Sequence, residues 1–381
     1  MGWLNGWSKR QKLTLDHTLV DADLSNFPVK VIVPDTNPLF DTAKPDGADV
    51  RFTSSDGETL LDFEREVHDD TNSIAVYHVK IPLVSSTLDT DFYLYYGNAS
   101  AMDASSPSSV WDSDYKLVMH MGPTLEDSTS NSNDGTNSGT TLGLASDGYY
   151  RSFDGGNDYI FIPDNVSLDL TTIMTGEVYV KPDVMRVAFP YSKHVEASSG
   201  YECHLRSDNA VRFLVHHGSG SPGYTALDTT GTIDITGWHY LATTFDNGNM
   251  EAFLNGTKDA TTATAPVTSI PTNSTALNIG RRDNSTYYLD GAISEVRISS
   301  TTRSDAWIKA THNSLADNLV AFGGEESWIS VTVTENVMFT ESGFALTTEV
   351  INGYMYIRIR FAGGPEMEFS VKQPETEASM K

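Results

Sequence analysis

Short runs in which apolar and polar side chains alternate recur along the whole chain, as in Lys12-Leu13-Thr14-Leu15, Val29 to Val33, Ile74 to Ile81 and Phe92 to Tyr96. Successive side chains of an extended strand point to opposite faces, so this period of two predicts strands with one buried face. Between the runs stand Ser55-Asp56-Gly57, Asn133-Asp134-Gly135, Asn247-Gly248 and Asn255-Gly256, residue types that turn hairpins. No stretch carries the apolar period of a long amphipathic helix. The best helical candidates are Ser304 to His312, where Ser304 caps and Trp307, Ile308 and Ala310 face a core, and a turn at Leu19 to Leu24. The pattern predicts an all-β chain of sandwiches or barrels.

A chain of 381 residues has room for two or three domains. Ala99 to Ser109 (ASAMDASSPSS) is small and polar, the composition of a linker, which places a first β-sandwich domain at 1–105. A second unit starts at Val110-Trp111 and is expected over 110–322. The Gly- and acid-rich stretch Ala321 to Glu326 then reads as a break before a small β domain at 327–381, with runs at Trp328 to Thr334, Phe344 to Val350 and Tyr354 to Phe361. That last element is near the lower size limit for independent stability and is expected to dock on a neighbour or on another copy, with Gln373 to Lys381 frayed.

Fifty-one Asp and Glu against 25 Lys and Arg give a net charge of −26, which argues against nucleic acid and anionic membrane as partners. Cys203, the one cysteine, cannot form an internal disulfide and reads as a buried, inert thiol. The opening MGWLNGWSKRQKL has no apolar segment of signal-peptide type, and no run approaches the roughly 18 apolar residues of a membrane span. Membrane insertion is therefore not expected, and export is expected to proceed by a route other than a signal peptide, such as lysis. The Asn-x-Ser/Thr triplets at Asn98, Asn165, Asn255, Asn273 and Asn284 carry no weight in a chain so rich in Ser and Thr.

Residues 149 to 162 read YYRSFDGGNDYIFI, followed by Gly237-Trp238-His239-Tyr240-Leu241-Ala242-Thr243-Thr244-Phe245-Asp246, Glu251-Ala252-Phe253-Leu254-Asn255-Gly256, Leu277-Asn278-Ile279-Gly280 and Leu289 to Ile298. In order and spacing this series, over roughly 111 to 300, resembles the LamG-like members of the concanavalin A-like lectin/glucanase superfamily. The resemblance implies a two-sheet jelly roll. Bottom-up, Trp238, Tyr240, Leu241 and Phe245 sit where an inner-face strand needs bulk, and Asn255-Gly256 turns the hairpin. Further upstream, Gly6-Trp7-Ser8-Lys9-Arg10, Leu24 to Val29, Gly47 to Phe52, His78 to Pro82 and Tyr93 to Asn98 look like a domain of unknown function that often precedes LamG modules in tailed-phage, archaeal and bacterial surface proteins.

Some relatives are glucanases with carboxylates alternating on one strand, and Asp62, Glu64 and Glu66 do share a face here. They lie outside the lectin-like stretch, so a solvated face is the expected role and no glycosidase is expected. No G-x-S-x-G elbow accompanies the histidines, Cys203 and His204 point to opposite faces, and one Cys with scattered His gives no zinc-ligand spacing. Calcium is the better metal: Asp127-Ser-Thr-Ser-Asn131-Ser-Asn133-Asp134-Gly135 is rich in oxygen donors but lacks the glycine and glutamate of an EF-hand. Because relatives bind structural calcium, the expected ligands are Asp154, Asp158 and Glu295. The competing reading is Asx turns without an ion.

Carbohydrate binding would need aromatic platforms with amide and charged groups around them. The candidates are Tyr191, His194, Tyr201, His216, His217, Tyr224, Arg281, Arg282, Asn284, Tyr287 and Tyr288. Tyr287-Tyr288 and His216-His217 could equally end strands, and Trp3, Trp7 and Trp111 read as core or interdomain anchors. The domain pairing leads to an expected role as a non-enzymatic virion surface protein, a capsid decoration, spike or tail-associated fibre, whose lectin-like domain engages host-surface glycans. Its other partners would be virion proteins and further copies of itself. The alternatives are an architectural cement protein without sugar binding and a cell-surface adhesin or carbohydrate-binding module.

Overall fold

The computed structural model describes residues 2–283 and 287–328 in full and, beyond them, the backbones of three strands. The first domain contributes β1 (Lys9–Leu15), β2 (Leu24–Val33), β3 (Arg51–Ser54), β4 (Leu60–Leu61), β5 (Phe63–Asp69), β6 (Ile74–Val84) and β7 (Thr90–Tyr96), with a one-turn helix α1 (Leu39–Thr42). The four alternating runs that mark its sequence lie in β1, β2, β6 and β7. Helix α2 (Pro107–Val110) ends the stretch expected to be a linker. That stretch is tied down: Lys44 Nζ donates to the Ala101 carbonyl and the Arg65 amide donates to Ser105 Oγ.

The second domain runs through β8 (Tyr115–Met119), β9 (Thr136–Ser138), β10 (Thr141–Ala145), β11 (Gly148–Asp154), β12 (Tyr159–Ile162), β13 (Ile173–Pro182), β14 (Ala188–Val195) and β15 (Ser199–Leu205). It continues through β16 (Ala210–His216), β17 (Tyr224–Thr232), β18 (His239–Asp246), β19 (Asn249–Leu254), β20 (Thr257–Thr264), β21 (Leu277–Ile279) and β22 (Asp290–Ser299). One sheet has the order β10-β11-β22-β13-β18-β19-β20, with β8 also paired to β22; the facing sheet has the order β17-β16-β15-β14-β21-β12-β9. Leu117, Phe153, Val178, Cys203, Phe213, Leu241 and Ile293 fill the space between them. Burial pushes the Cys203 thiol well up, which keeps it inert. Asn247-Gly248 and Asn255-Gly256 have positive φ at both residues, the conformation a tight hairpin needs.

Alternation sorts β18 differently from the expectation that its bulky residues share the inner face. Leu241 and Phe245 enter the core, whereas Tyr240 points outward to a second cluster with Phe253, Ile308 and Leu315. Ile308 and Leu315 belong to helix α3 (Asp305–Leu315), capped by Ser304, whose Oγ accepts from the Trp307 amide at 3.2 Å. Its other side carries Trp307, edge-on to Phe27 with ring centroids 4.9 Å apart, into the core of the first sandwich. Helix α3 is thus wedged between the two β domains.

The Gly- and acid-rich stretch read as a domain break is a strand, β23 (Val320–Ser327), that returns to the first domain and pairs antiparallel with β1 from Leu15↔Val320 to Lys9↔Ser327. It completes the sheet β23-β1-β7-β3-β4, which faces β2-β6-β5. The charges that suggested a loop are partnered: Glu325 pairs with Lys9, and Glu326 with Arg10 at 2.7 Å. Residues 1–328 form one compact unit, and 329–381 a second. In that second unit β24 (Phe344–Ile351), β25 (Tyr354–Phe361) and β26 (Glu366–Lys372) make an antiparallel sheet in the order written. Two of its strands match expected runs, the third was not marked in the sequence, and both the run past Trp328 and the tail Gln373 to Lys381 lie outside the described residues.

Candidate functional site

The outer face of the seven-stranded sheet gathers polar and aromatic side chains in cross-strand rows. Inward alternation of Tyr201, Cys203 and Leu205 on β15 sends Glu202 and His204 outward. Pairing aligns Asn278, Ser192, Glu202 and Leu214 in one row, and His194, Gly200 and His216 in the next. His204, Arg212 and Asp228 form a third. Gly200 has φ +105°, and a Cβ there would lie 2.0 Å from the Lys193 carbonyl oxygen, so glycine is required. With no side chain between them, the rings of His194 and His216 come to 4.9 Å between centroids.

Glu202 is the hub of this surface. Its Oε1 lies 3.1 Å from His216 Nε2 and accepts from Arg282 Nη2 at 3.0 Å, while Oε2 accepts from Ser192 Oγ at 3.2 Å. Burial alone would raise its carboxyl, but the His216 bond and the charges of His194, His216 and Arg282 prevail and hold it down at about 2. Arg282 also pairs with Glu196 at 2.7 Å and lies over the Phe189 ring.

Beside this hub, Phe189, His204, Arg212, Tyr224, Arg282 and Tyr287 line a groove of about 280 Å³. His204 stacks on Phe189 with centroids 4.7 Å apart, and Tyr287, 41% exposed, meets Phe189 at a tilt with centroids 5.9 Å apart. The His204 Nε2 atom is buried without a hydrogen-bond partner among the described residues. Burial, against the pull of Glu202 and reinforced by Arg212, Arg206 and Arg282, lowers its pKa to about 4, so at neutral pH this nitrogen belongs to a neutral imidazole.

Of the residues expected from sequence, His194, His216, Tyr224, Arg282 and Tyr287 come together on this surface. Tyr191 and Tyr201 do not: both lie on inward positions of their strands, in the core, and Tyr201 donates to the Leu168 carbonyl. His217 is held in the following turn by Thr225 and the Ser219 amide. Arg281 stacks on Tyr159 and donates to Asn278, and Tyr288 bridges to Arg281. Asn284 lies outside the described residues. Phe189, Glu202, His204 and Arg212 were missed, although the outward phase of β15 was available as a signal for two of them.

The expected metal ligands separate. Asp154 accepts from the Gly156 and Asn157 amides, and Asp158 accepts from the Asp154 amide, both within one turn. Glu295 sits five residues beyond Asp290, the register partner of Asp154, roughly 16 Å along β22. Its alternation directs it away, to His120 Nδ1 at 2.7 Å and Arg297 Nε at 2.7 Å. Asp127 is likewise engaged, by the amides of Val118, Thr129 and Asn133.

Residues 154–309 match the family model described as the concanavalin A-like lectin/glucanases superfamily. The chain carries a concanavalin A-like domain. Ahead of it, residues 46–134 match a domain of unknown function. No curated protein matches. Among solved structures, domain 4 of AbnA, a GH43 extracellular arabinanase from Geobacillus stearothermophilus in complex with arabinotriose, is similar at 18% identity and a TM-score of 0.44, over 51% of this chain and 97% of that one. The binding domain of Paraclostridial Mosquitocidal Protein 1 is similar at 12% identity and a TM-score of 0.44, over 65% of this chain and 63% of that one. The binding domain of botulinum neurotoxin DC, in complex with rat synaptotagmin II, is similar at 14% identity and a TM-score of 0.43, over 68% and 73%. The groove therefore lies on one sheet of the concanavalin A-like domain, among β14 to β17.

Proposed function

We propose that the chain is a non-catalytic binding protein whose concanavalin A-like domain takes one sugar ring of a glycan in the groove beside Glu202. The observation that carries this reading is the buried, unpartnered His204 Nε2, held by its stack on Phe189 next to the exposed Tyr287. A sugar hydroxyl would satisfy that nitrogen, and the apolar face of the ring would lie on Tyr287. The groove is near the lower end of the roughly 300–1,000 Å³ typical of small-ligand sites, which suits a single ring with the remaining glycan projecting outward.

On this reading the protein works at a virion surface as an oligomer, where many weak sites give avidity towards host glycans and one end of the chain anchors each copy. The support for a particle is the pairing of the two domains, which is an analogy. The test is a glycan array probed with the chain clustered on beads. Binding to a restricted glycan set is expected, and Tyr287→Ala should weaken it about 3- to 10-fold, the equivalent of the ~0.5–1.5 kcal/mol of an aromatic platform, while leaving the melting temperature unchanged. Absence of binding to any glycan would favour the architectural alternative, and turnover of polysaccharide would overturn the non-catalytic reading.

A further inference from the structure

Histidines scattered in the sequence converge where the first sandwich meets the concanavalin A-like domain. Strands β5 and β6 pair Glu64 with His78, and the register shifts between Arg65 and Val67, which leaves Glu66 as an extra, bulged residue. Two residues beyond Glu64, Glu66 keeps to the side of the sheet that Glu64 and His78 occupy, and the ladder resumes at Val67. Glu66 Oε2 lies 2.9 Å from His78 Nε2. From the other domain His120, immediately after β8, stacks on His78 with ring centroids 4.1 Å apart. One donor atom each from Glu66, His78 and His120 lies within 4.8 Å of the others.

We propose that Glu66, His78 and His120 hold one divalent transition-metal ion of the zinc class, clasping the two β domains together. Two imidazoles and one carboxylate form a donor set suited to zinc and its neighbours, whereas calcium and magnesium prefer oxygen alone. A bound ion would draw these donors to roughly 3.3 Å from one another, a small side-chain adjustment. The support around the ligands fits too. Glu295 Oε2 lies 2.7 Å from His120 Nδ1 and is itself held by Arg297, the carboxylate–histidine arrangement that orients a metal-binding imidazole. Glu64 is fixed by Trp111 and Ser128.

The surroundings of His78 and an adjoining cleft fit a cation at this place. The His78 ring is completely buried, yet its Nδ1 has no hydrogen-bond partner among the described residues. A cleft of about 200 Å³, lined by Glu64, Glu66, His120, Ser128 and Tyr149 among others, opens beside the trio and gives an ion its entry path and room for a fourth, exchangeable ligand.

The experiment uses the whole chain, stripped with a chelator, dialysed and titrated calorimetrically with zinc chloride. One ion per chain, bound at roughly micromolar affinity or tighter, is expected, together with a rise in melting temperature and the intense visible absorption of tetrahedral cobalt(II) when cobalt replaces zinc. E66Q and H120N should each lower the affinity at least tenfold. X-ray absorption on the zinc-loaded wild-type chain requires no variant to fold and should count two imidazoles. Absence of stoichiometric uptake, unchanged affinity in folded variants, or an imidazole count other than two would overturn the proposal.

Discussion

Glu202 is the residue whose chemistry is most dependent on its neighbours. Its side chain is almost fully buried, and its charge persists because His194, His216 and Arg282 surround it. Glu202→Gln leaves the Arg282 guanidinium without this buried counter-charge, and a loss of about 3 kcal/mol is expected in urea denaturation at pH 7. The acid limb follows from the direction of the shift. The folded carboxyl is held at about 2 against an ordinary 4.5, so its stabilisation is complete above 4.5 and is lost as the pH falls from there towards 2. His204 acts in the same sense at a higher pH. Its folded value of about 4 lies below the ordinary 6.5, so stability declines as the pH falls from 6.5 to 4, where the unfolded chain takes up the proton first. In unfolding followed against pH, His204→Gln should remove its own share of the decline between 6.5 and 4, and Glu202→Gln its own share between 4.5 and 2. Gly200→Ala should be more damaging than its size suggests, by 2 kcal/mol or more in the same denaturation measurement, because strand backbone would have to move away from the new methyl.

At the level of elements, what the sequence revealed and what it concealed follow one physical line. Alternation reports which face a side chain takes, and on that basis β1, β2, β6, β7 and the cap of α3 were legible in advance. It does not report which strand lies alongside, so the rows that bring Ser192, Glu202 and Leu214 together were hidden, as was the return of β23 to β1. Asp62, Glu64 and Glu66 show the same boundary. Asp62 is on the surface as expected, but Glu64 and Glu66 are buried in the junction, because the second domain covers that face. For α3 the consequences are measurable by calorimetry. Ser304→Ala removes a cap and should cost about 1 kcal/mol, whereas Trp307→Ala empties a site shared with Phe27 and should cost about 3–5 kcal/mol.

For the whole molecule, the core of the first sandwich borrows Trp111, Tyr115, Val118 and Trp307 from the chain that follows it. The first sandwich is therefore not sealed without the chain that follows it, and a single cooperative transition is expected for residues 1–328. Ending the chain after Trp328 should leave that transition within a few degrees of its original position in differential scanning calorimetry. Ending it after Leu319 removes β23, exposes the edge of β1 and should lower the transition markedly and promote aggregation.

The pairing of β1 with β23 also determines how the molecule would carry a load. Lys9, at the start of one strand, is paired with Ser327, at the end of the other, so tension applied at Ser8 and Trp328 acts on the same end of the ladder. Hydrogen bonds across an antiparallel pair lie perpendicular to the strands, and a pull from this end opens them one after another, as a zip opens, instead of shearing them together. Tension along the chain would therefore be released first at this seam, while the concanavalin A-like domain, enclosed between the two strands, stays outside the line of force until the seam has opened.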